Sequence, residues 1–214
     1  MNIKRALGAL PRLVVVGSLI GSTLVMTGCA GLVAAGFVVG AMAIGDRRTI
    51  GAQTEDTGIE VKARTELNSK LSDVGGVTIT SYNRKALLTG QVLDEKTRTE
   101  AGAIVRRLDN VKEVFNELRV SPRVSMSTTT NDAGITTRVK AALVDARDVQ
   151  VNTIKVVTEA SVVYMMGIVT REEGNRAAQV ASRVSGVQRV VTVFEYVTPD
   201  ELARIERVNK EEQK

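Results

Sequence analysis

The chain contains no histidine and no tryptophan, and its single cysteine is Cys29. Without histidine, Ser–His and Cys–His catalysis, His-ligated zinc and His-held haem are excluded. One cysteine excludes thiolate clusters and intrachain disulfides. Aromatic residues make up only 3% of the 214 residues, so two small aliphatic cores are expected instead of one large core. These absences predict a binding or structural protein, not an enzyme, with no catalytic residue, no metal site and no cofactor.

Residues 1–28 have the composition of a targeting segment. A positive region containing Lys4, Arg5 and Arg12 precedes an apolar stretch, residues 13–26, that is too short for a comfortable membrane span. The stretch ends in Met26-Thr27-Gly28-Cys29, which resembles the lipobox of bacterial lipoproteins. In those proteins the cysteine becomes the acylated N-terminus after cleavage.

This resemblance predicts a lipoprotein signal peptide over residues 1–28 and palmitate on Cys29. The alternative is an uncleaved anchor helix that continues to Gly45. Residues 29–45 are apolar and rich in Gly and Ala, as expected for a membrane-proximal segment. Ala30 follows the cysteine, and by the sorting rule of enterobacterial lipoproteins a residue other than Asp at this place directs the protein to the outer membrane.

The charge of the mature chain is small. Removal of the three basic residues of the signal peptide leaves 26 of the 29 basic residues against 24 acidic residues, a net charge of +2. No interleaving of aromatic and basic residues accompanies this charge, so nucleic acid is not a predicted partner.

The remainder of the chain contains an internal repeat. Ile59, Ala63 and Leu67 recur 76 residues later as Ile135, Val139 and Leu143, both with the i, i+4, i+8 spacing of a helix. An alternating strand pattern and a second apolar helical series recur at nearly the same offset. The sequence therefore predicts two copies of one unit of nearly 70 residues.

Each unit is predicted to fold as helix, strand, strand, helix, strand, giving an α+β sandwich of two helices on a three-stranded sheet. The predicted elements are first helices over 57–71 and 133–144, second helices over 95–109 and 171–185, and third strands over 111–120 and 187–197. Thr57 with Glu60 fits a capping box for the first helix. Hairpin turns are predicted at Tyr82–Lys85 and Glu159–Ser161.

Gly90 and Gly167 occupy matching places near the end of the second strand of each unit. They are interpreted as structural glycines, where the backbone turns or passes close to another segment. Residues 122–131 contain Pro122 and several Ser and Thr, which is typical of a linker. Residues 199–214 alternate acids and bases and predict a C-terminal helix or tail.

The repeated unit resembles the BON domain. The segments that carry the resemblance are Asp46-Arg47-Arg48-Thr49, Ile135-Thr136-Thr137-Arg138-Val139, Met166-Gly167-Ile168-Val169-Thr170 and Ala181-Ser182-Arg183-Val184-Ser185-Gly186-Val187. The resemblance places BON domain 1 at 46–121 and BON domain 2 at 132–198. It implies an outer-membrane lipoprotein that faces the periplasm, binds anionic phospholipid such as phosphatidylglycerol through its second domain, and supports envelope integrity, including at the division site.

The candidate lipid-binding residues are Gly134, Ile135, Arg138, Lys140 and Val144. Relatives can carry an aromatic residue at the place of Gly134, and its absence here predicts a shallower membrane contact. The alternative is that Arg138 and Lys140 form a solvated helix face. A second function class also fits the sequence: a periplasmic adaptor that binds envelope-assembly or peptidoglycan-related proteins.

Overall fold

The computed structural model describes residues 45–72, 74, 76–122 and 124–212. Domain 1 contains α1 Ile50–Lys70, β1 Val77–Tyr82, β2 Lys85–Val92, α2 Glu95–Arg106, β3 Glu113–Asn116 and β4 Arg119–Val120. Domain 2 contains α3 Met126–Asp145, a short 3₁₀ turn Val151–Thr153, β5 Ile154–Glu159, β6 Val162–Val169, α4 Arg171–Ser182 and β7 Arg189–Tyr196, and α5 Pro199–Glu212 follows. The predicted α+β fold of two tandem units is confirmed.

In both domains a hairpin is extended by a third strand. β1 and β2 are antiparallel, as are β5 and β6, and the third strand of each domain runs parallel to the second. Two helices cover one face of each sheet and bury the repeated apolar residues beneath them. The sequence predicted these two cores because the helical spacing of their residues recurs in both copies.

The third strand of domain 1 differs from the prediction of one continuous strand. It divides into β3 and β4, both paired with β2, whereas β7 is unbroken. The interruption lies opposite Gly90, whose φ of +109° departs from strand geometry. Gly167, its counterpart in β6, has no positive φ. The two sheets therefore differ at this one backbone position.

Both first helices begin seven residues earlier than predicted, and α3 starts within the segment interpreted as linker. Thr49 and Ser125 are the N-cap residues, and their hydroxyls accept hydrogen bonds from Ala52 N and Thr128 N. The capping box predicted at Thr57 is wrong, because Thr57 lies inside α1 and its hydroxyl donates to Gln53 O at 3.0 Å. Hydroxyls bonded to the preceding helical turn make Ser- and Thr-rich segments compatible with a helix.

The two hairpin turns are held by a repeated aspartate. Asn83 and Arg84, like Ala160 and Ser161, all have positive φ, the geometry of a type I′ turn. Buried Asp56 on α1 accepts hydrogen bonds from Asn83 N and Arg84 N, both at 2.7 Å. On α3 the buried Asp132 accepts them from Ala160 N and Ser161 N at 2.7 and 2.9 Å. Each carboxylate thus stabilises backbone conformations that non-glycine residues rarely adopt.

The sheets of the two domains also share an apolar core on the faces that carry no helices. Tyr82 and Leu87 of domain 1 pack in one buried cluster with Tyr164, Met166 and other residues of domain 2. Ile205 of α5 packs against the same cluster. The domains are therefore joined by a buried interface and not only by the chain between them.

Candidate functional site

The predicted lipid-binding residues lie on α3, which shows three distinct faces. Ile135, Val139 and Leu143 are fully buried in the core of domain 2. The prediction that Ile135 contacts lipid is wrong, because its side chain is 0% exposed and faces the sheet. Its i, i+4, i+8 spacing with the two other residues had already placed it on the core side of the helix.

Arg138 and Lys140 are both exposed and flank the solvent side of α3. Successive residues in a helix are turned by about 100°, so two steps of rotation leave these side chains about 160° apart across the outer face. Arg138 leans toward the second helix of the domain, where its Nε donates to Ser185 O at 3.3 Å. The two cations thus border the outer face from opposite sides.

The outer face between the two cations is weakly polar. Thr137 and Ala141 are exposed there, and Val144 is 63% exposed at its C-terminal end. An exposed valine between two long basic side chains matches the arrangement in which an apolar group enters an interface while the charged ends reach the headgroups. The face carries no acid until Asp145, the last residue of the helix.

Gly134 is half-buried at the N-terminal half of the same helix. A Cβ added there would lie 3.3 Å from an Arg138 terminal nitrogen, which belongs to a flexible side chain. The position therefore has space for a larger residue if Arg138 moves slightly.

The matching helix of domain 1 offers a similar set of residues. Lys62 and Arg64 are exposed at the positions that correspond to Arg138 and Lys140, and Val61 is 61% exposed. Lys62 lines a groove of about 470 Å³ between α1 and α2, together with Ile104 and Arg107.

The acids of α1 are engaged within the protein. Glu60 accepts a hydrogen bond from Lys155 of domain 2 at 2.9 Å, and Glu66 pairs with Lys70 at 2.6 Å. The charge contrast between the two first helices is therefore smaller than their sequences indicate.

A cluster that the sequence analysis did not identify joins the segment before α1 to both domains. The Arg47 guanidinium is almost fully buried and donates to both oxygens of Glu173, at 2.7 and 2.8 Å, and to Ile168 O at 2.9 Å. Burial disfavours the charged form of Glu173, but the hydrogen bonds from Arg47 and Thr170 outweigh it and lower the pKa of this carboxyl. Arg47 therefore holds the start of the folded chain against domain 2.

Arg48 makes the corresponding contacts with domain 1. It donates to Asp46 at 2.6 Å and to Asp56 at 2.8 Å, and its guanidinium lies 4.1 Å from the centre of the Tyr82 ring. The Tyr82 hydroxyl donates to Thr153 O of domain 2 at 3.1 Å, and burial raises the pKa of this phenol. Tyr82 and Thr153 are 71 residues apart, and no local motif predicts their contact.

The structural glycines have a geometric explanation. A Cβ at Gly90 would lie 1.9 Å from Gly76 O, and a Cβ at Gly167 would lie 2.6 Å from Thr153 O. In both strands a backbone carbonyl occupies the space that a side chain would need.

Cys29 and the predicted signal peptide lie outside the described residues. Within the part of the chain that the structure describes, no helix is long and apolar enough to cross a membrane. Across residues 45–212, apart from the undescribed positions between them, no three acidic or cysteine side chains are arranged to hold a metal ion.

Comparison with known proteins gives consistent matches. The chain is 37% identical over 182 residues to the outer membrane lipoprotein DolP of Haemophilus influenzae, covering 84% of this chain and 94% of the relative. It is 29% identical to a 21 kDa hemolysin of Actinobacillus pleuropneumoniae, covering 71% of this chain and 79% of the relative. A structure of CdsD, a structural protein of the type III secretion system of Chlamydia trachomatis, matches 68% of this chain and 97% of its own length, at 10% identity and with a TM-score of 0.29.

The family model for the BON domain matches twice, at residues 55–122 and 131–198. The first match runs from within α1 to just after β4, and the second runs from within α3 to the residue before α5, so each match covers one folded unit. Neither relative bears the name of an enzyme. The chain belongs to the BON-domain family, as a dual-BON protein related to an outer membrane lipoprotein.

Proposed function

We propose that this protein is an outer-membrane lipoprotein, anchored through acylated Cys29 and facing the periplasm, whose second BON domain binds anionic phospholipid. The observation that carries the proposal is the outer face of α3, where Val144 is 63% exposed and two cations border an acid-free stretch. The proposed role in envelope integrity, including at the division site, rests on the family resemblance alone.

The energies favour a weak contact assisted by an anchor. A basic residue near an anionic membrane surface contributes about 1 kcal/mol. Two such residues and one valine give low affinity by themselves, but an acyl chain on the same molecule raises the effective concentration of α3 at the bilayer. The missing aromatic at Gly134 is consistent with a shallow contact.

Vesicle flotation of the soluble body tests lipid binding without the anchor. Residues 43–214 form one compact unit and are suitable for this purpose. We expect this body to float with vesicles that contain phosphatidylglycerol, to remain behind with phosphatidylcholine alone, and to lose binding as salt rises. Equal recovery with both vesicles would contradict recognition of anionic lipid.

The anchor is tested separately in the full chain. Cys29→Ala should leave a heavier, unprocessed form that takes up no labelled palmitate. Equal labelling of the variant and the parent protein would exclude acylation at Cys29.

One observation favours the adaptor function as a second candidate. The groove between α1 and α2 combines apolar Val61, Ile104 and Leu108 with the cations Lys62 and Arg107. Such a surface suits an acidic amphipathic segment of an envelope-assembly protein. Cross-linking in cells from a photoreactive residue at position 61, compared with position 137 on α3, distinguishes the two functions, because an adaptor gives protein adducts at position 61 that are absent at position 137.

A further inference from the structure

Residues 46–48 form a connection among three parts of the protein, which we call the N-terminal clasp. Arg47 binds Glu173 of α4, and Arg48 binds Asp56 of α1. The third part is α5, where Asn209 donates to the Asp46 carbonyl at 3.4 Å and Glu206 lies 3.6 Å from Arg47. The chain that precedes the clasp therefore leaves the folded body at a fixed place.

That place lies beside the segment that follows α3. A Cβ at Gly45 would be 3.3 Å from the Asn152 side chain, which stands in the 3₁₀ turn after α3. Gly45, Gln150 and Lys210 also line a common hollow of about 260 Å³. The exit is thus close to the C-terminal end of α3, while the 20 residues of the helix place Met126 about 30 Å away along its axis.

The sequence before the exit is suited to a bilayer surface. Residues 30–45 contain no charged side chain, and Asp46 is the first charged residue after Cys29. Burial of apolar side chains at the interface is favourable, and burial of the charged residues that follow is not. A chain held at Cys29 by acyl groups is expected to leave the membrane close to Asp46.

The charges at this end of domain 2 are compatible with the surface of an anionic bilayer. Arg147 and Lys210 are exposed there, and Lys140 lies less than two helical turns before the end of α3. Of the acids nearby, Asp148 pairs with Arg176 at 2.8 Å. Asp145 is exposed as well. Asp46 and Glu206, which line the same hollow as Lys210, lie against Arg48 and Arg47 at 2.6 and 3.6 Å. Most of the acids at this end are therefore engaged in ion pairs, whereas three cations are exposed.

We infer that the N-terminal clasp orients the anchored protein, so that the C-terminal end of α3 and the loop 146–153 face the bilayer that carries the anchor. This inference rests on the proposed acylation of Cys29 and specifies how the proposed lipid contact is made. In the anchored protein the clasp adds to the proposed preference for domain 2 over domain 1, because it sets which helix end is near the membrane. Because the chain leaves the folded body beside this end of α3, the helix contacts the same bilayer that holds the anchor.

Site-directed spin labelling of the full acylated protein tests the inference. Cys29 is the only cysteine, so acylation leaves no other thiol and a second cysteine is labelled uniquely. The label positions are Val144→Cys and Met126→Cys at the two ends of α3 and Val61→Cys on domain 1, which are 63%, 85% and 61% exposed in the native protein. The measurement is the accessibility of each label to lipid-soluble oxygen relative to a water-soluble nickel complex.

We expect the oxygen-to-nickel ratio to be raised at position 144 and to have its aqueous value at positions 126 and 61. On phosphatidylcholine vesicles, where no anionic lipid attracts α3, Arg47→Gln with Arg48→Gln should abolish this difference while the domains remain folded by circular dichroism. If that variant unfolds, a 20-residue Gly-Ser insertion between Ile44 and Gly45 leaves the clasp intact, adds a flexible span of about 25 Å, and should also abolish it. Equal ratios at positions 144 and 126 in the parent protein, or an unchanged difference after the insertion on phosphatidylcholine vesicles, would overturn the inference.

Two vesicle compositions separate this inference from the proposed lipid recognition. Anchor and clasp should orient the protein on phosphatidylcholine as well as on phosphatidylglycerol vesicles. A raised ratio at position 144 on both, with no flotation of the soluble body on phosphatidylglycerol, would support the clasp and refute anionic lipid recognition. Flotation on phosphatidylglycerol with equal ratios at the two ends of α3 would refute the clasp alone.

Discussion

The two BON domains have the same fold, and their first helices carry similar exposed groups. Lys62 and Arg64 on α1 correspond to Arg138 and Lys140 on α3, and one valine is exposed on each helix. The helices differ in what surrounds these groups. On α1 the cations stand beside acids and a groove, and on α3 they border a weakly polar face near the chain exit. The comparison indicates that the surroundings of the exposed groups, more than their residue types, distinguish the two domains.

The largest expected effect concerns the two structural glycines. Gly90→Ala combines a positive φ with a carbonyl 1.9 Å from the new carbon, so we expect it to lower the free energy of unfolding by about 3 kcal/mol. Gly167→Ala meets its carbonyl at 2.6 Å without a positive φ, and about 1–2 kcal/mol is expected. Urea unfolding followed by circular dichroism measures both. An equal cost at the two positions would show that the backbone difference between the sheets has no energetic consequence.

The turn-holding aspartates give the next largest difference. Asp56→Ala leaves two turn N–H groups, the Ser81 hydroxyl and one bond of Arg48 without their acceptor, and we expect a loss of about 3 kcal/mol. Asp132→Ala removes the acceptor of two N–H groups, with an expected loss of about 2 kcal/mol. Thermal unfolding of the two variants shows which substitution costs more stability. A larger loss for Asp132→Ala would contradict the expected order.

These aspartates show what could be predicted from the sequence. The repeat predicted two α+β units because apolar spacing reports directly on the core. Asp56 and Asp132 also recur at the 76-residue offset, one helical turn before Ile59 and Ile135, so the same comparison of the two copies could have identified them. A polar residue that recurs at the same offset as the core residues indicates a structural role that both units share.

The N-terminal clasp could not be predicted in this way. Arg47 and Glu173 are 126 residues apart, and their pairing depends on how the two sheets pack together. Ile135 was assigned to lipid contact although its spacing placed it in the core. The start of α3 could not be predicted, because the Ser- and Thr-rich turns at its beginning have the composition of a linker.

An aromatic residue in the N-terminal half of the first helix is expected to affect the two domains differently. Gly134→Trp should strengthen binding to phosphatidylglycerol vesicles by about 1 kcal/mol through interfacial burial. Gly58→Trp is the matched control on α1, where a Cβ meets nothing within 4 Å. Titration of the soluble body with vesicles measures both. An equal gain from Gly58→Trp would mean that the added residue binds membranes wherever it is placed.

The smallest expected effect is the pH dependence of the clasp. The pKa of Glu173 in the folded protein is below its ordinary value of 4.5, so its stabilising charge is fully present above that pH and is lost as pH falls through the lowered pKa. We expect Glu173→Gln to reduce stability at neutral pH and to flatten its decline below pH 4.5. Unfolding free energies between pH 3 and pH 7 measure the slope. Parallel curves for the variant and the parent protein would contradict a charged clasp.

α3, and not α1, is the helix proposed to bind anionic lipid. The direct measurement compares two charge reversals in the soluble body by titration with phosphatidylglycerol vesicles: Arg138→Glu with Lys140→Glu, and Lys62→Glu with Arg64→Glu. All four residues are exposed, so both variants should remain folded. The α3 reversal should weaken binding by about 2 kcal/mol from lost attraction alone, about a 30-fold decrease in affinity, and the α1 reversal should change it little. Equal losses from the two reversals, or no loss from the α3 reversal, would contradict the account.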